Sequence, residues 1–175
     1  RFRIQSAKEF HKELKIQNRK QIYESDINPI FRCLEENYLG KDAPELNVGF
    51  FDIEVDFDPE KGFSKPEDPF NPVTAITIYL QWLDKLVTLA IPPKTMNMDT
   101  AQKFCENFDD TFLFKDESKM LETFLDLIED VDVLSGWNSE GYDIPYMVNR
   151  ITRVLSRNDT RRFCLWSQYP KRRNF

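Results

Sequence analysis

The feature that most constrains this chain is a short apolar segment, residues 48–55, that contains two acidic side chains. Its other residues are mainly β-branched or aromatic, which predicts a buried strand. Because side chains alternate between the two faces of a strand, Asp52 and Glu54 project to the same side, about 6.6 Å apart along it. Phe51 and Ile53 would face the core. Two carboxylates on one face can hold a cation, and an edge strand with a wet acidic face is the simple alternative.

The segments that follow predict a mixed α/β fold. After a proline-rich loop at residues 59–72, two apolar runs at 73–80 and 86–91 predict strands that continue an antiparallel meander through a turn at 81–85. Next we predict an edge strand at 112–114, a helix capped by Asp116, a strand at 132–137 and a helix from about Asp143. A three-strand meander followed by helix, strand and helix is the order of a ribonuclease-H-like fold.

The first part of the chain predicts a separate unit. A capping-box spacing predicts a short helix from Ser6, and residues 21–24 could form a strand. Asn28 and Pro29 predict the start of another helix, with Ile30, Phe31, Leu34 and Tyr38 on one face. Residues 40–45 read as a linker. We therefore divide the chain into residues 1–46 and a second domain at 47–175.

The composition limits the side chains that could act in catalysis. The single histidine, His11, leaves carboxylates as the material for catalysis. The net charge of −6 is segregated: residues 1–20 carry +5 and residues 150–175 carry +7, which leaves −18 for the middle. An acidic centre with basic flanks suits a metal site beside phosphate-binding segments, although two solvated basic segments would look the same. Three separated cysteines and no membrane span or signal peptide predict a cytosolic protein.

Asp143 is the third acid of interest. Its simple explanation is a helix cap that complements the helix dipole. If it instead meets Asp52 and Glu54, the three like charges would repel unless divalent ions offset them.

Two motifs give these acids a specific context. Residues 51–55, FDIEV, resemble the first exonuclease motif of bacteriophage family-B DNA polymerases, and residues 137–146, WNSEGYDIPY, with Arg150 after them, resemble the second. The connecting segments at 69–76 and 116–134 are also similar, as are residues 23–27 and 31–35 to the stretch that enters the exonuclease from the N-terminal domain. The resemblance covers about residues 21–155.

The resemblance implies a replicative DNA polymerase fragment with a 3′→5′ proofreading exonuclease that removes mismatched 3′-terminal nucleotides. It implies two Mg²⁺ or Mn²⁺ ions, with Asp52 bridging them, Glu54 holding the ion that generates the nucleophile and Asp143 supporting the other. Asn138 and Tyr142 would line the single-stranded primer end. Phe63 would stack on terminal bases or, alternatively, tuck onto the core. Arg150, Arg153 and Arg157 could touch phosphate or form a solvated face.

The third motif of the family, Tyr-x3-Asp, is missing after Asp143, so we expect the exonuclease domain to be cut off at the C-terminus and the fragment to cleave poorly. The implied partners are DNA and the rest of the polymerase chain, with a sliding clamp as a further candidate, in the cytoplasm of a bacterial host. Three alternatives stay open: a free-standing exonuclease of the same superfamily, a non-catalytic DNA-binding domain of that fold, and a structural domain with an acidic patch.

Overall fold

The computed structural model describes residues 28–171. The chain divides into two compact units, Arg1–Pro44 and Glu45–Phe175, and each is described by itself. The helix predicted from Ser6 and the strand predicted at residues 21–24 lie outside the described residues. Within the described residues, no helix is long and apolar enough to cross a membrane.

The first unit contains helix α1 (Pro29–Tyr38), which begins where the sequence predicts it. The side chain of Asn28 accepts a hydrogen bond from the backbone N–H of Ile30 at 2.9 Å. Pro29 occupies the first turn, where its missing N–H costs nothing because that donor would have no partner inside the helix. Residues 39–47, which include the predicted linker at 40–45, contain neither helix nor strand.

The second unit is built on a five-stranded mixed sheet. Its strands are β1 (Val48–Val55), β2 (Val73–Leu80), β3 (Lys85–Ala90), β4 (Thr111–Leu113) and β5 (Val133–Ser135). They lie in the order β4-β3-β2-β1-β5. The first three form the predicted antiparallel meander, while β4 and β5 add in parallel at the two edges, on β3 and β1 respectively. The predicted fold class, a mixed sheet led by a meander, is confirmed.

Up to residue 171, three α-helices accompany the sheet: α2 (Met98–Cys105), α3 (Glu117–Leu127) and α4 (Asp143–Val154). Short 3-10 helices lie at Gln81–Leu83, Asp159–Phe163 and Leu165–Ser167. Helix α3 starts at the predicted cap, because the Asp116 carboxylate accepts from the backbone N–H of Lys119 at 3.0 Å. Helices α3 and α4 share one core with the inner face of the sheet. The most deeply buried apolar side chains of this core are Val73, Ile76, Ile78, Leu89, Met120, Leu121, Phe124, Tyr146, Met147 and Ile151. Each contributes about 1.5–3 kcal/mol relative to an exposed position.

Strand β5 is shorter than the predicted strand at 132–137, and Gly136 shows why. A Cβ atom at this position would collide with the backbone carbonyl oxygen of Phe51 on β1. The chain therefore leaves the sheet immediately after Ser135 and crosses close over β1, which only a glycine permits. This crossing leads directly into the turn that precedes α4.

Candidate active site

Strand β1 presents Asp52 and Glu54 as the sequence predicts. Phe51 and Ile53 are buried, whereas Asp52 and Glu54 are exposed on the opposite face. Strand β2 pairs with β1 along its length, but β5 pairs only with Val48 to Phe50. Among the described residues, the β5 side of β1 therefore has no strand partner beyond Phe50. Both acids lie on this uncovered half of the strand.

Asp143 is brought to the same half of β1. It is the first residue of α4 and only 4% exposed. Burial raises the pKa of its carboxyl above the usual range, and the negative charge of Asp52 raises it further. Hydrogen bonds from the backbone amides of Asp143 itself and of Ile53 oppose this rise. The amide of Ile53 and the charge of Asp52 both belong to β1, so the carboxyl of Asp143 sits against the uncovered edge of that strand.

Asp143 is not the N-cap of its helix. The cap position is Tyr142, and no side chain caps the helix there. The simple explanation of Asp143 as a capping residue is therefore wrong, although its place in the first turn still suits the helix dipole. A buried acid that interacts with another acid is an arrangement found at functional sites.

The acids do not form a closed metal-binding group by themselves. Within residues 28–171, no three acidic, histidine or cysteine side chains are arranged so that they could hold a metal ion. The structure thus places Asp143 where the charge of Asp52 acts on it, and Glu54 on the same strand face as Asp52, without joining all three. The donors that are present are carboxylate oxygens, the ligands that Mg²⁺ and Mn²⁺ prefer.

The turn before α4 contains two predicted DNA contacts. Asn138 is exposed with a left-handed backbone (φ 56°), a conformation that asparagine tolerates better than most residues. Its carbonyl accepts from the backbone N–H groups of Gly141 and Tyr142 at 2.9 and 3.0 Å, which closes the turn. The partly buried ring of Tyr142 stacks on Tyr146 with centroids 5.4 Å apart. Burial, and then the charge of Asp143, raise the pKa of Tyr142.

Phe63, the third predicted DNA contact, projects from the loop between β1 and β2. Its side chain is 73% exposed, so the alternative that it tucks onto the core is wrong. Its ring lies 4.9 Å, centroid to centroid, from the ring of Phe57, which is also exposed. The pair forms an aromatic surface at the tip of the loop.

The arginine predicted to reach phosphate, Arg150, is instead a buried structural residue. Its guanidinium forms a two-point ion pair with Glu117 of α3 at 2.8 and 2.6 Å. The remaining nitrogen donates to the carbonyl oxygens of Pro69 and Phe70. These partners use four of the five N–H groups of the guanidinium, and the side chain is only 10% exposed, so Arg150 serves the packing of the loop rather than an open phosphate-binding surface. This role could not be predicted from local sequence, because Glu117 lies on another helix, 33 residues away.

The two other arginines lie on the surface. Arg153 pairs with Asp68 at 2.8 Å, with both side chains largely exposed. The guanidinium of Arg157 lies over the ring of Tyr169, 5.0 Å from its centroid. Both remain accessible to solvent, as a solvated face would be.

Comparison with known proteins agrees with these features. Residues 3–173 match the family described as DNA polymerase family B, exonuclease domain. The chain is 27% identical over 140 residues to a DNA-directed DNA polymerase of Escherichia phage RB69, an alignment that covers 69% of this chain and 15% of the relative. It is 29% identical over 117 residues to the DNA polymerase catalytic subunit of Saimiriine herpesvirus 2, covering 65% of this chain and 11% of that protein.

A third relative, the DNA-directed DNA polymerase of Enterobacteria phage T4, is 36% identical over 52 residues, which is 29% of this chain and 6% of the relative. The chain thus spans a small part of the length of the proteins it matches. The mixed sheet and its helices are the ribonuclease-H-like fold of such an exonuclease domain, and exonuclease domains of this family use divalent metal ions. The chain belongs to the exonuclease domain family of the family-B DNA polymerases.

Proposed function

We propose that this chain is part of a replicative DNA polymerase and carries its 3′→5′ proofreading exonuclease, which removes mismatched nucleotides from the primer strand. The observation that carries the proposal is the position of Asp143. A helix start more than eighty residues after β1 places a buried carboxyl within reach of the charge of Asp52, beside the half of β1 that has no described strand partner on that side. A fold does not gain stability from such repulsion, so a role in binding cations explains it better.

In this proposal Asp52, Glu54 and Asp143 hold two Mg²⁺ or Mn²⁺ ions, with Asp52 shared between them. All three supply hard oxygen donors, which fit these ions. When bound, such ions lower the pKa of an attacking water and offset the charge of the leaving 3′ oxygen. Because the described acids do not close into a three-membered group, a further ligand from elsewhere in the protein would complete the site.

The other residues act on the DNA strand. Asn138 and Tyr142 lie in the turn just before Asp143 and would contact the single-stranded 3′ end, while Phe63 would stack on a terminal base. The ring of Tyr142 is held by Tyr146 and is therefore a rigid surface for a sugar or base. Stacking suits a proofreading enzyme because it is independent of base identity.

The partners in this proposal are the primer-template DNA and the rest of the polymerase chain. Residues 1–46 would belong to the polymerase N-terminal domain and 47–175 to the exonuclease. Two of the relatives are phage proteins, which favours action in the cytoplasm of a bacterial host. A sliding clamp is a further expected partner.

The main competitor is a DNA-binding domain of the same fold without nuclease activity. The pairing of Asp143 with Asp52 favours catalysis, because a domain that only binds DNA would gain from losing a buried acid near a polyanion. A free-standing exonuclease is less favoured, because the relatives carry the matching segment inside much longer polymerases.

The test is degradation of a 5′-labelled single-stranded oligonucleotide in Mg²⁺ or Mn²⁺ by the polymerase that contains this chain. We expect removal of nucleotides from the 3′ end. Asp52→Asn with Glu54→Gln should lower the rate at least about a thousandfold, since metal contacts contribute several kcal/mol to transition-state stabilisation. The control pair, Asp109→Asn with Glu106→Gln, changes two exposed acids elsewhere and should retain the rate. Full activity in the first pair would refute the proposed site.

A further inference from the structure

The loop between β1 and β2 is joined to helix α4 by a buried tyrosine. Tyr146 is fully buried, and its hydroxyl lies 2.7 Å from the carbonyl oxygen of Asn71 and 2.5 Å from Oγ of Ser64. A tyrosine hydroxyl has one proton, which goes to the carbonyl because a carbonyl can only accept. Ser64 must therefore donate its proton to Tyr146. The direction of both bonds is therefore fixed, and both lie in a buried part of the molecule.

Ser64 is also the point where the loop closes on itself. Its Oγ accepts from the backbone N–H of Asn71 at 3.3 Å, and the side-chain amide of Asn71 donates to the carbonyl of Gly62 at 3.0 Å. Phe63 lies between Gly62 and Ser64, both of which are held by these bonds. Its backbone is therefore fixed on each side while its ring remains exposed.

On helix α4, the residue that makes this connection, Tyr146, lies one turn from Asp143. Tyr146 follows Asp143 by three residues on α4, and its ring stacks on Tyr142. The hydroxyl of Tyr142 points to the carbonyl of Ser64 at 3.5 Å. One helical turn thus contacts both the strand that carries Asp52 and the loop that carries Phe63.

We propose that Tyr146 is a positioning residue that acts through Ser64 to hold Phe63 at a set distance from the acids, so that the ring receives the base at the 3′ end. The inference rests on the proposed function, in which Phe63 contacts DNA. Tyr146 itself touches no substrate. Its ring packs in the core, whereas its hydroxyl forms a hydrogen bond with the loop.

Removal of the hydroxyl should loosen the loop without unfolding the domain. In Tyr146→Phe the ring still fills the core, Ser64 keeps its bond from Asn71, and Arg150 still holds the far end of the loop at Pro69 and Phe70. The lost constraint is confined to the residues around Phe63. Tyr79→Phe is the matched control, because it removes a tyrosine hydroxyl bonded to Asp84 in the turn between β2 and β3.

The experiment measures the affinity of the protein for a fluorescent single-stranded oligonucleotide with a free 3′ end, in EDTA so that cleavage does not interfere. Phe63→Ala should weaken binding about tenfold, the change that about 1.4 kcal/mol produces. Tyr146→Phe and Ser64→Ala should each weaken it about three- to tenfold, and Tyr79→Phe should have no effect. Hydrogen exchange of residues 62–71 should accelerate in Tyr146→Phe but not in Tyr79→Phe.

The double variant Tyr146→Phe/Phe63→Ala decides the mechanism. If Tyr146 acts through Phe63, the double variant binds no more weakly than Phe63→Ala alone. Losses that add in full would overturn the positioning role, as would unchanged affinity in Tyr146→Phe or in Phe63→Ala, and the proposed nuclease would stand in each of these cases. Failure of the unaltered protein to bind single-stranded DNA would overturn the proposed function together with this inference.

Discussion

At the scale of single residues, Asp143 is the group whose environment conflicts most with its charge. Burial and the neighbouring charge of Asp52 both raise its pKa, and two backbone amides offset only part of that rise. The folded state therefore binds a proton at Asp143 more tightly than the unfolded chain does. Stability from this residue is fully present at low pH and is lost as the pH rises through the folded-state pKa.

The first prediction follows from the raised pKa of Asp143. In a metal-free buffer with a chelator, Asp143→Asn should increase the free energy of unfolding at pH 7–8, because it removes a buried charge and keeps an acceptor for the amide of Ile53. The gain should shrink as the pH falls and the wild-type carboxyl becomes protonated. Urea unfolding at several pH values measures it.

Asp116 is a control for this measurement, because its pKa is shifted in the opposite direction from that of Asp143. Hydrogen bonds from Ser118 and from the backbone of Lys119 lower the pKa of Asp116. Its contribution to stability is therefore present above its unfolded-state pKa and lost as the pH falls, so Asp116→Asn should remove part of the acid sensitivity instead. If Asp143→Asn destabilised the protein equally at every pH, the buried charge would not be the cause.

Gly136 gives a prediction that depends on backbone contact. Because a Cβ atom there would meet the carbonyl of Phe51, Gly136→Ala must push the turn before α4 away from β1. We expect a loss of about 1–3 kcal/mol in the free energy of unfolding, as for other overpacked sites. Gly49→Ala is the comparison: its Cβ would meet only side chains, of Ile78 and Val131, at 3.3 and 3.4 Å. Equal losses in the two variants would contradict this account.

At the scale of elements, helix α4 organises the site because its residues hold both β1 and the loop. Arg150 and Glu117 join α4 to α3, with side chains only 10% and 12% exposed. Glu117 also accepts from the backbone N–H of Val73 at the start of β2. The loop that carries Phe63 is thus fixed at its far end by a buried ion pair and near its tip by Tyr146.

Breaking that ion pair should destabilise the second unit strongly. Arg150→Met leaves the Glu117 carboxylate buried without its partner, and we expect a loss of about 3–5 kcal/mol in urea unfolding. Glu117→Gln in the same background should recover part of the loss, because glutamine can still accept from Val73. The exposed pair of Arg153 and Asp68 is the control, and Arg153→Met should cost no more than about 1 kcal/mol. Equal losses of stability in Arg150→Met and Arg153→Met would mean that burial does not determine how much each ion pair contributes.

Local pattern was sufficient to predict most elements, because strand alternation and helix spacing are properties of short segments. The face shared by Asp52 and Glu54 follows from alternation alone. Helix α2 was missed because Ala101 is its only buried residue, although Asn97, which accepts from Thr100 at 2.8 Å, is a readable cap. The contacts of Tyr146 and Arg150 with the loop join residues about eighty positions apart, and no local pattern encodes them.

At the scale of the whole molecule, the described part of the second unit leaves half of β1 without a strand partner on its β5 side, and Asp52 and Glu54 lie on that half. Strand β5 stops at Ser135, the crossing at Gly136 turns the chain away, and α4 returns only its first turn to the edge. In the described part of the chain, the charges of Asp52 and Asp143 therefore oppose each other, and the burial of Asp143 costs stability at neutral pH. Bound cations would offset this loss of stability.

The last prediction tests this effect of bound cations. Mn²⁺ should raise the melting temperature of the protein, and an ion present at ten times its dissociation constant adds about 1.4 kcal/mol, or about 3–6 °C for a protein of this size. Asp143→Asn and Asp52→Asn should each reduce the rise, because each removes a ligand, whereas the exposed acid Asp109 should be replaceable by Asn without effect. Asp143→Asn would then differ from wild type in opposite directions under the two conditions: it would be more stable without metal and less stabilised with it. A metal-induced rise that survives both substitutions would place the cation elsewhere and separate the buried acid from metal binding.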